Sequence, residues 1–239
     1  MKAWNKQHII SLLLNSFLML CFVILNGCAK EPSAEINGKA QFNGYGCNTC
    51  HRIGNKGGTL GPDLTYIGFR KSPEWLDLWL KNPHAWKPNT SMPNFYLKEN
   101  VRKELVKYLS SLKGQDYQNN PPWNDPSITH PIQKGKVIFE RVGCVGCHGI
   151  EGKGGYPNNN VVGGKIPSLT LVADGYSKDE LIEKLNKGVP HPQKAVSSEP
   201  DPMIFMPSWG EILQKEELDA LADYLISLCP ARTGADAWE

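Results

Sequence analysis

The sequence predicts an all-α protein made of two similar small domains in tandem. Three observations support this prediction: a set of landmarks occurs twice in the same order, apolar residues recur at helical spacing, and no strand-like alternation competes with them. The 239 residues include 23 glycines, 18 prolines and only 9% aromatic residues. That composition suits two small, loop-rich domains better than one large core.

The N-terminal residues have the order of a secretory signal. Lys2 and Lys6 precede an apolar run over residues 9–25, and the sequence Leu-Asn-Gly-Cys then ends at Cys28. We expect residues 1–27 to be a signal peptide and the protein to be extracytoplasmic, on the periplasmic side or the cell surface. The ending resembles a bacterial lipobox, which implies lipidation of Cys28. An uncleaved membrane anchor is the alternative, because about 17 apolar residues approach the length of a bilayer span. Either way, we expect attachment to a bacterial membrane.

The repeat is visible as a growing offset between matching landmarks. Their order is the same in both copies, and the second copy is longer only between landmarks, as insertions in surface loops would make it. The pairs are 38–42 with 135–139 (offset 97), 62–64 with 167–169 (105), Met92–Pro93 with Met206–Pro207 (114), and 108–112 with 224–228 (116). The repeat predicts one domain over residues 35–115 and another over residues 132–230. Residues 116–131, polar and rich in proline, are expected to be a semi-extended linker.

Helix signals support the all-α prediction in both copies. Ser72 followed by Pro73 predicts a helix start with serine as the N-cap, and Ser177 with Glu180 is the pattern of a capping box. The apolar helix faces are expected at Trp75, Leu76, Trp79 and Leu80; at Leu105, Tyr108, Leu109 and Leu112; at Leu181, Ile182 and Leu185; and at Leu218, Leu221, Ala222 and Leu225. These spacings are typical of amphipathic helices.

Two C-x-x-C-H motifs, at residues 47–51 and 144–148, are the strongest chemical signal. This motif is typical of covalent haem c attachment, in which two thiols bond to the porphyrin and the adjacent imidazole ligates the iron. We therefore predict two covalently bound haem c groups. Their attachment residues are Cys47, Cys50, Cys144 and Cys147, and their iron ligands are His51 and His148.

Other uses of a C-x-x-C pair fit less well. A zinc site would need its two halves close together, but 93 residues separate Cys50 from Cys144. A thioredoxin-like pair would need a βαβ setting and no histidine directly after it. Of the seven cysteines, Cys21 lies in the signal run and Cys229 is left over. We assign Cys229 no function.

The residues resemble the small class I cytochrome c fold used twice, and are similar to two-domain c4-type carriers. The resemblance covers about residues 35–113 and 132–229. It implies that the first and last helices of each copy cross at small and aromatic residues: Gly38 and Phe42 with Tyr108, and Gly135 and Phe139 with Tyr224. It also implies that the carbonyls of Pro62 and Pro167 hold the imidazoles of His51 and His148, which would fix their orientation and tautomer.

The sixth iron ligand is predicted to be a methionine in each copy. Met92 precedes a proline in a polar segment between helices, which suits an extended loop crossing a haem face. In the second copy Met206 is favoured over Met203, because Met206–Pro207 repeats Met92–Pro93. His84 and His191 are rival ligands, but their positions do not correspond between the copies. Thioether ligation raises the haem potential relative to ligation by two histidines.

Two bound ligands would leave no open position at either iron, so outer-sphere electron transfer is the predicted activity. We expect a carrier between membrane respiratory complexes, or the cytochrome subunit of such a complex, with redox proteins as partners. The alternative is a dihaem oxidoreductase, similar to thiosulfate dehydrogenase or to a peroxidase, in which one haem is catalytic. A carrier is favoured over an enzyme, and no nucleic-acid-binding pattern is present.

Charge differs between the two copies. Residues 35–115 contain 12 Lys/Arg against 6 Asp/Glu, whereas residues 132–230 contain 10 against 13. One hypothesis is that the basic copy docks an acidic redox partner through residues such as Lys56, Lys87 and Lys98. The alternative is that the two oppositely charged copies attract each other.

Overall fold

Helices dominate the fold, which confirms the all-α prediction. The computed structural model describes residues 34–230, and these belong to one compact unit. The predicted signal peptide (residues 1–27) and the lipidation site at Cys28 lie outside the described residues. We refer to residues 34–115 as the first half, 116–130 as the joining segment and 131–230 as the second half.

The first half contains six helices and one small hairpin. The helices are α1 (Ala34–Gly44), α2 (Cys47–Cys50), α3 (Ile67–Arg70), α4 (Pro73–Lys81), α5 (Pro83–Trp86) and α6 (Glu99–Ser111). Strands β1 (Arg52–Ile53) and β2 (Lys56–Gly57) pair antiparallel, with Arg52 opposite Gly57 and Ile53 opposite Lys56. This hairpin was not predicted, because two-residue strands are too short to show alternation.

The second half repeats the helical order. Its helices are α7 (Pro131–Arg141), α8 (Val145–His148), α9 (Val172–Gly175), α10 (Lys178–Lys187) and α11 (Lys215–Ser227). Short 3₁₀ turns occupy Gln115–Tyr117, Pro122–Asn124, Ile150–Gly152 and Trp209–Glu211. None of the helices within residues 34–230 is long and apolar enough to span a bilayer.

In each half the first and last long helices cross at a glycine, as the resemblance implied. A Cβ on Gly38 would lie 2.5 Å from Tyr108 Cβ, and one on Gly135 would lie 2.7 Å from Tyr224 Cβ. The aromatic partners complete each crossing, with Phe42 5.8 Å from Tyr108 and Phe139 5.4 Å from Tyr224 between ring centroids. Only glycine lets the helix backbones approach this closely.

The predicted caps and buried faces are also confirmed. The Ser72 hydroxyl accepts from the Trp75 N–H at 3.2 Å, with Pro73 in the first turn of α4. Ser177 and Glu180 form the capping box that begins α10. The apolar faces of α4, α6, α10 and α11 are buried in the two cores.

The two cores are shared between the halves rather than separate. Tyr66 and Tyr117 belong to the core cluster of the second half, whereas Tyr156 and Ile204 belong to that of the first half. The joining segment also contributes, because Trp123 is buried and its indole N–H donates to Glu217 at 2.5 Å. The joining segment is therefore folded into the molecule and is more than the semi-extended spacer that its composition predicted.

In the ion pair between the halves, the acidic residue comes from the half with net positive charge and the basic residue from the half with net negative charge. Asp63 of the basic half accepts from Arg141 Nε of the acidic half at 3.1 Å. Lys87, predicted as a docking residue, instead places its ammonium 5.3 Å from the Tyr156 ring centroid. Lys56 and Lys98 are exposed. Lys87 is half-buried, so Lys56 and Lys98 are the more accessible of the three lysines.

Two candidate haem sites

The first motif forms a single helical turn. Helix α2 carries Cys47 and Cys50 three positions apart, which places both thiols on one face of the turn. His51 ends the helix, and its N–H donates to the Cys47 carbonyl at 2.9 Å. Backbone bonds from Gly58 to Asn48 and from Gly61 to Cys50, both 2.9 Å, fix the following loop against the motif. The two thiols and the imidazole are thus held by one short, fully bonded segment.

A proline carbonyl orients the first imidazole. His51 Nδ1 lies 2.9 Å from the Pro62 carbonyl oxygen. Because a carbonyl only accepts, Nδ1 carries the proton and Nε2 keeps its lone pair for a metal. Burial is the main influence that lowers the pKa of His51, which favours the neutral imidazole that iron requires. Gly61 makes the close approach possible, since a Cβ there would lie 2.6 Å from His51 Nδ1.

The second motif repeats this arrangement with a longer contact. Cys144 precedes α8, and the His148 N–H donates to the Cys144 carbonyl at 2.8 Å. His148 Nδ1 lies 3.3 Å from the Pro167 carbonyl oxygen. Burial lowers the pKa of His148 and raises that of the Cys144 thiol to about 12. Both imidazoles thus point Nδ1 at the expected prolines, although the second hydrogen bond is at the long end of the normal range.

Met92 is partly buried against the core of the first half, beside a tryptophan. Its sulfur accepts from the Trp79 indole N–H at 3.0 Å, and its backbone N–H donates to the Thr90 hydroxyl at 3.3 Å. Met92 packs against the core cluster that Cys47 also contacts. The sequence placed Trp79 on a buried helix face but gave no sign that its N–H meets the candidate ligand.

The two methionines of the second half lie in different surroundings. Met206 packs against the second core cluster, as Cys144 does, and pairs with Val189 through backbone hydrogen bonds of 2.8 and 3.3 Å. Met203 packs against the first core cluster, as Cys147 does. Both methionines remain candidate ligands in the structure, and Met206 is the one that the repeat favours. His84 and His191 are exposed.

The donor set fits a covalent haem. Within residues 34–230 no group of three or more His, Cys, Asp or Glu side chains converges as a metal cage, and none of the four motif cysteines forms a disulfide. Three donors near the sites, Arg70 Nε, Lys71 Nζ and Trp75 Nε1, are buried without a hydrogen-bond partner in this part of the chain. The propionate carboxylates of a haem are acceptors that suit such groups.

A polar network between the halves was not predicted. The Asp63 carboxylate accepts from the Thr65 N–H at 2.8 Å, the Thr65 hydroxyl at 2.5 Å, the Tyr117 hydroxyl at 2.7 Å and Arg141 Nε at 3.1 Å. Burial, with Asp63 nearby, raises the pKa of Tyr117 to about 12, so its hydroxyl stays a donor. Asp63 follows Pro62 directly, and that adjacency is the one sequence signal that could have drawn attention to it.

Known cytochromes match the chain over about a third of its length. Cytochrome c of Trypanosoma brucei brucei is 33% identical over 92 residues, which are 36% of this chain and 98% of that protein. Cytochrome c oxidase subunit 2 of Alkalihalophilus pseudofirmus is 30% identical over 95 residues, or 35% of this chain and 28% of that protein. The chain thus matches less than a third of the oxidase subunit.

Among solved structures, a chain of the Kuenenia stuttgartiensis reducing HAO-like protein complex covers 81% of this chain and 96% of its own length. Its identity of 19% and TM-score of 0.29 are too low to inform on fold or function. The family model for cytochrome c matches residues 36–113 and 132–228, more than half of the chain. The chain therefore belongs to the cytochrome c family, whose members bind haem c covalently and transfer electrons through its iron.

Proposed function

We propose that the chain is a dihaem electron carrier. The observation that supports this most strongly is the duplication of a complete proximal arrangement: Nδ1 of His51 faces the Pro62 carbonyl, and Nδ1 of His148 faces the Pro167 carbonyl. Each Nε2 is thereby left to an iron, with two thiols beside it for covalent attachment. One haem would belong to a domain over residues 35–115 and the other to a domain over residues 132–230.

The protein's contribution is to hold the ligands still. Iron in a bound haem supplies the one-electron chemistry. His51 and Met92 would ligate one iron, and His148 and Met206 the other, so that neither metal keeps a position for substrate. At the first site Trp79 fixes the Met92 sulfur by a hydrogen bond. Rigid ligands lower the cost of changing the oxidation state.

We propose that this carrier works outside the cytoplasm at a bacterial membrane. The signal-like residues 1–27 and the lipobox-like Cys28 support a lipid anchor, with an uncleaved helix as the alternative. The similarity to a cytochrome c oxidase subunit supports a respiratory complex as electron acceptor or as the assembly to which the chain belongs. Redox proteins of this kind are the proposed partners.

The ligands can be tested with three alanine variants. Met92→Ala and Met206→Ala should each abolish the thioether-to-iron absorption band of one haem and leave that of the other intact. Met203→Ala is the matched control and should retain both bands. Loss of a band in Met203→Ala but not in Met206→Ala would reassign the second ligand, and loss in none of the variants would contradict methionine ligation.

A dihaem oxidoreductase is the second candidate, and the long His148 contact of 3.3 Å favours it at the second site. A weakly held imidazole and two possible methionines would suit an iron that exchanges its distal ligand. Adding carbon monoxide to the reduced protein separates the two functions. A carrier should bind none rapidly, whereas an enzyme of this class should bind one molecule per chain.

A further inference from the structure

Arg70 lies between the two haem motifs. It is the last residue of α3 and is only 4% exposed. Its Nη2 donates to the Asp63 carbonyl at 2.8 Å, and its Nη1 donates to the Gly143 carbonyl at 3.0 Å. The first carbonyl belongs to the first half and the second belongs to the second half. One guanidinium therefore bridges them.

Each carbonyl is next to a residue of a haem site. Asp63 follows Pro62, whose carbonyl faces His51, and Gly143 precedes Cys144, the first attachment thiol of the second motif. The contact is close: a Cβ on Gly143 would lie 2.5 Å from Arg70 Cζ, and one on Gly146 would lie 3.1 Å from Nη1 and 3.7 Å from Pro62 Cβ. The proximal loop of one site thus packs against the attachment segment of the other through Arg70.

The charge of Arg70 has no carboxylate partner among residues 34–230. Its hydrogen bonds go to backbone carbonyls, and Nε has no acceptor. The Asp63 carboxylate, which interacts electrostatically with Arg70, is paired with Arg141. An arginine side chain remains protonated in proteins. A fixed positive charge, bonded only to backbone carbonyls in this part of the chain, is therefore buried between the two sites.

We propose that Arg70 is a positioning residue that couples the two haem sites, an inference that depends on the proposed two-haem function. Its two hydrogen bonds hold the Pro62–Asp63 loop against the Gly143–Cys144 segment, so the position of His51 depends on the second half. Its charge also favours the ferrous state at both irons, because reduction lowers the positive charge of each site. The effect on potential is strong because the site is buried.

The test compares two variants. Arg70→Met removes both the charge and the guanidinium group that donates to two carbonyls, whereas Arg70→Lys keeps only the charge. Arg102→Met is the matched control, since Arg102 pairs with Asp77 at 2.6 Å within the first half and is 13% exposed. Potentiometric titration of the holoprotein gives both midpoint potentials, and urea unfolding reports the contact between the halves. Haem content of each variant, measured by intact mass, shows whether two haems are present.

Arg70→Met should lower both midpoints, with at least one reduction equilibrium shifted tenfold, or about 59 mV for one electron. The Arg70→Lys protein should keep potentials near those of wild type but unfold at a lower urea concentration, because one ammonium group cannot bond to both carbonyls as the guanidinium does. Potentials in Arg70→Met that match those of Arg102→Met would overturn the electrostatic role. If the Arg70→Lys protein is as stable as wild type, the two hydrogen bonds do not hold the halves together. This comparison remains decisive even if Arg70→Met does not fold. A wild-type chain with fewer than two haems would instead refute the proposed function.

Discussion

The two candidate haem sites share a motif but differ in what supports the axial histidine. In the first half the supporting loop is buried between the halves, and the Pro62 carbonyl lies 2.9 Å from His51 Nδ1. In the second half Pro167 is exposed, and its carbonyl lies 3.3 Å from His148 Nδ1. The same motif is thus held firmly in one site and loosely in the other.

The residues at matching positions explain this difference. Gly61 and Asp63 of the first half correspond to Ile166 and Ser168 of the second, at the offset of 105. Asp63 is tied to Thr65, Tyr117 and Arg141. The Ser168 side chain instead bonds within its own half, to the Gly152 carbonyl and to the hydroxyl and N–H of Thr170. Duplication therefore preserved the ligand geometry, while the surroundings that set its rigidity diverged.

The largest effect is expected from truncating Asp63 and, in a separate variant, its counterpart Ser168. Asp63→Ala should lower the free energy of unfolding by about 3 kcal/mol, because Arg141 then loses its carboxylate partner in a buried setting. Ser168→Ala should cost about 0.5 kcal/mol or less, since its hydroxyl is exposed. Urea unfolding of the two holoproteins measures both values, and equal losses would contradict the asymmetry.

The first matched pair should show a smaller difference. Gly61→Ala places a methyl group 2.6 Å from His51 Nδ1 and should cost about 2 kcal/mol through overpacking. It should also alter the spectrum of the first haem. Ile166→Ala should leave both spectra unchanged, because it removes atoms and adds no clash. If the Gly61→Ala spectrum is that of wild type, the imidazole is not confined as described.

Most of the fold could be predicted from the sequence because its signals are local. The caps at Ser72 and Ser177 and the duplicated motifs need only neighbouring residues to be recognised. The network around Asp63 and Arg70 could not be predicted, because its partners are separated by up to 78 residues and follow no periodic pattern. Burial of Trp123 was not predicted either, since the polar, proline-rich residues around it predicted a semi-extended linker.

A smaller effect is expected at the methionine ligand of the first site only. Trp79→Phe removes the hydrogen bond to the Met92 sulfur and should cost about 1 kcal/mol. The first haem potential should fall, because the sulfur then donates more electron density to ferric iron. The second site has Lys184 at the corresponding position, and its potential should not change. Potentiometry of the variant checks this, and a shift at the second haem would contradict it.

The smallest effect is expected from surface charge. Lys56 and Lys98 are exposed in the first half, and changing both to glutamate should slow electron transfer to ferricyanide, an anionic oxidant, at low ionic strength. Changing Lys153 and Lys165 of the second half, both exposed, is the matched control. The double variant should show a weaker salt dependence than wild type. If the electron-transfer rate of the double variant depends on ionic strength as that of wild type does, the basic half does not dock anionic partners through these lysines.

The number of covalently attached haems tests the central claim most directly. Intact mass would be measured on the denatured wild-type chain, on a Cys47→Ala/Cys50→Ala variant and on a Cys144→Ala/Cys147→Ala variant, all matured in cells that attach haem c. We predict two haems on the wild type and one on each variant. A wild-type chain with one haem or none would contradict the account.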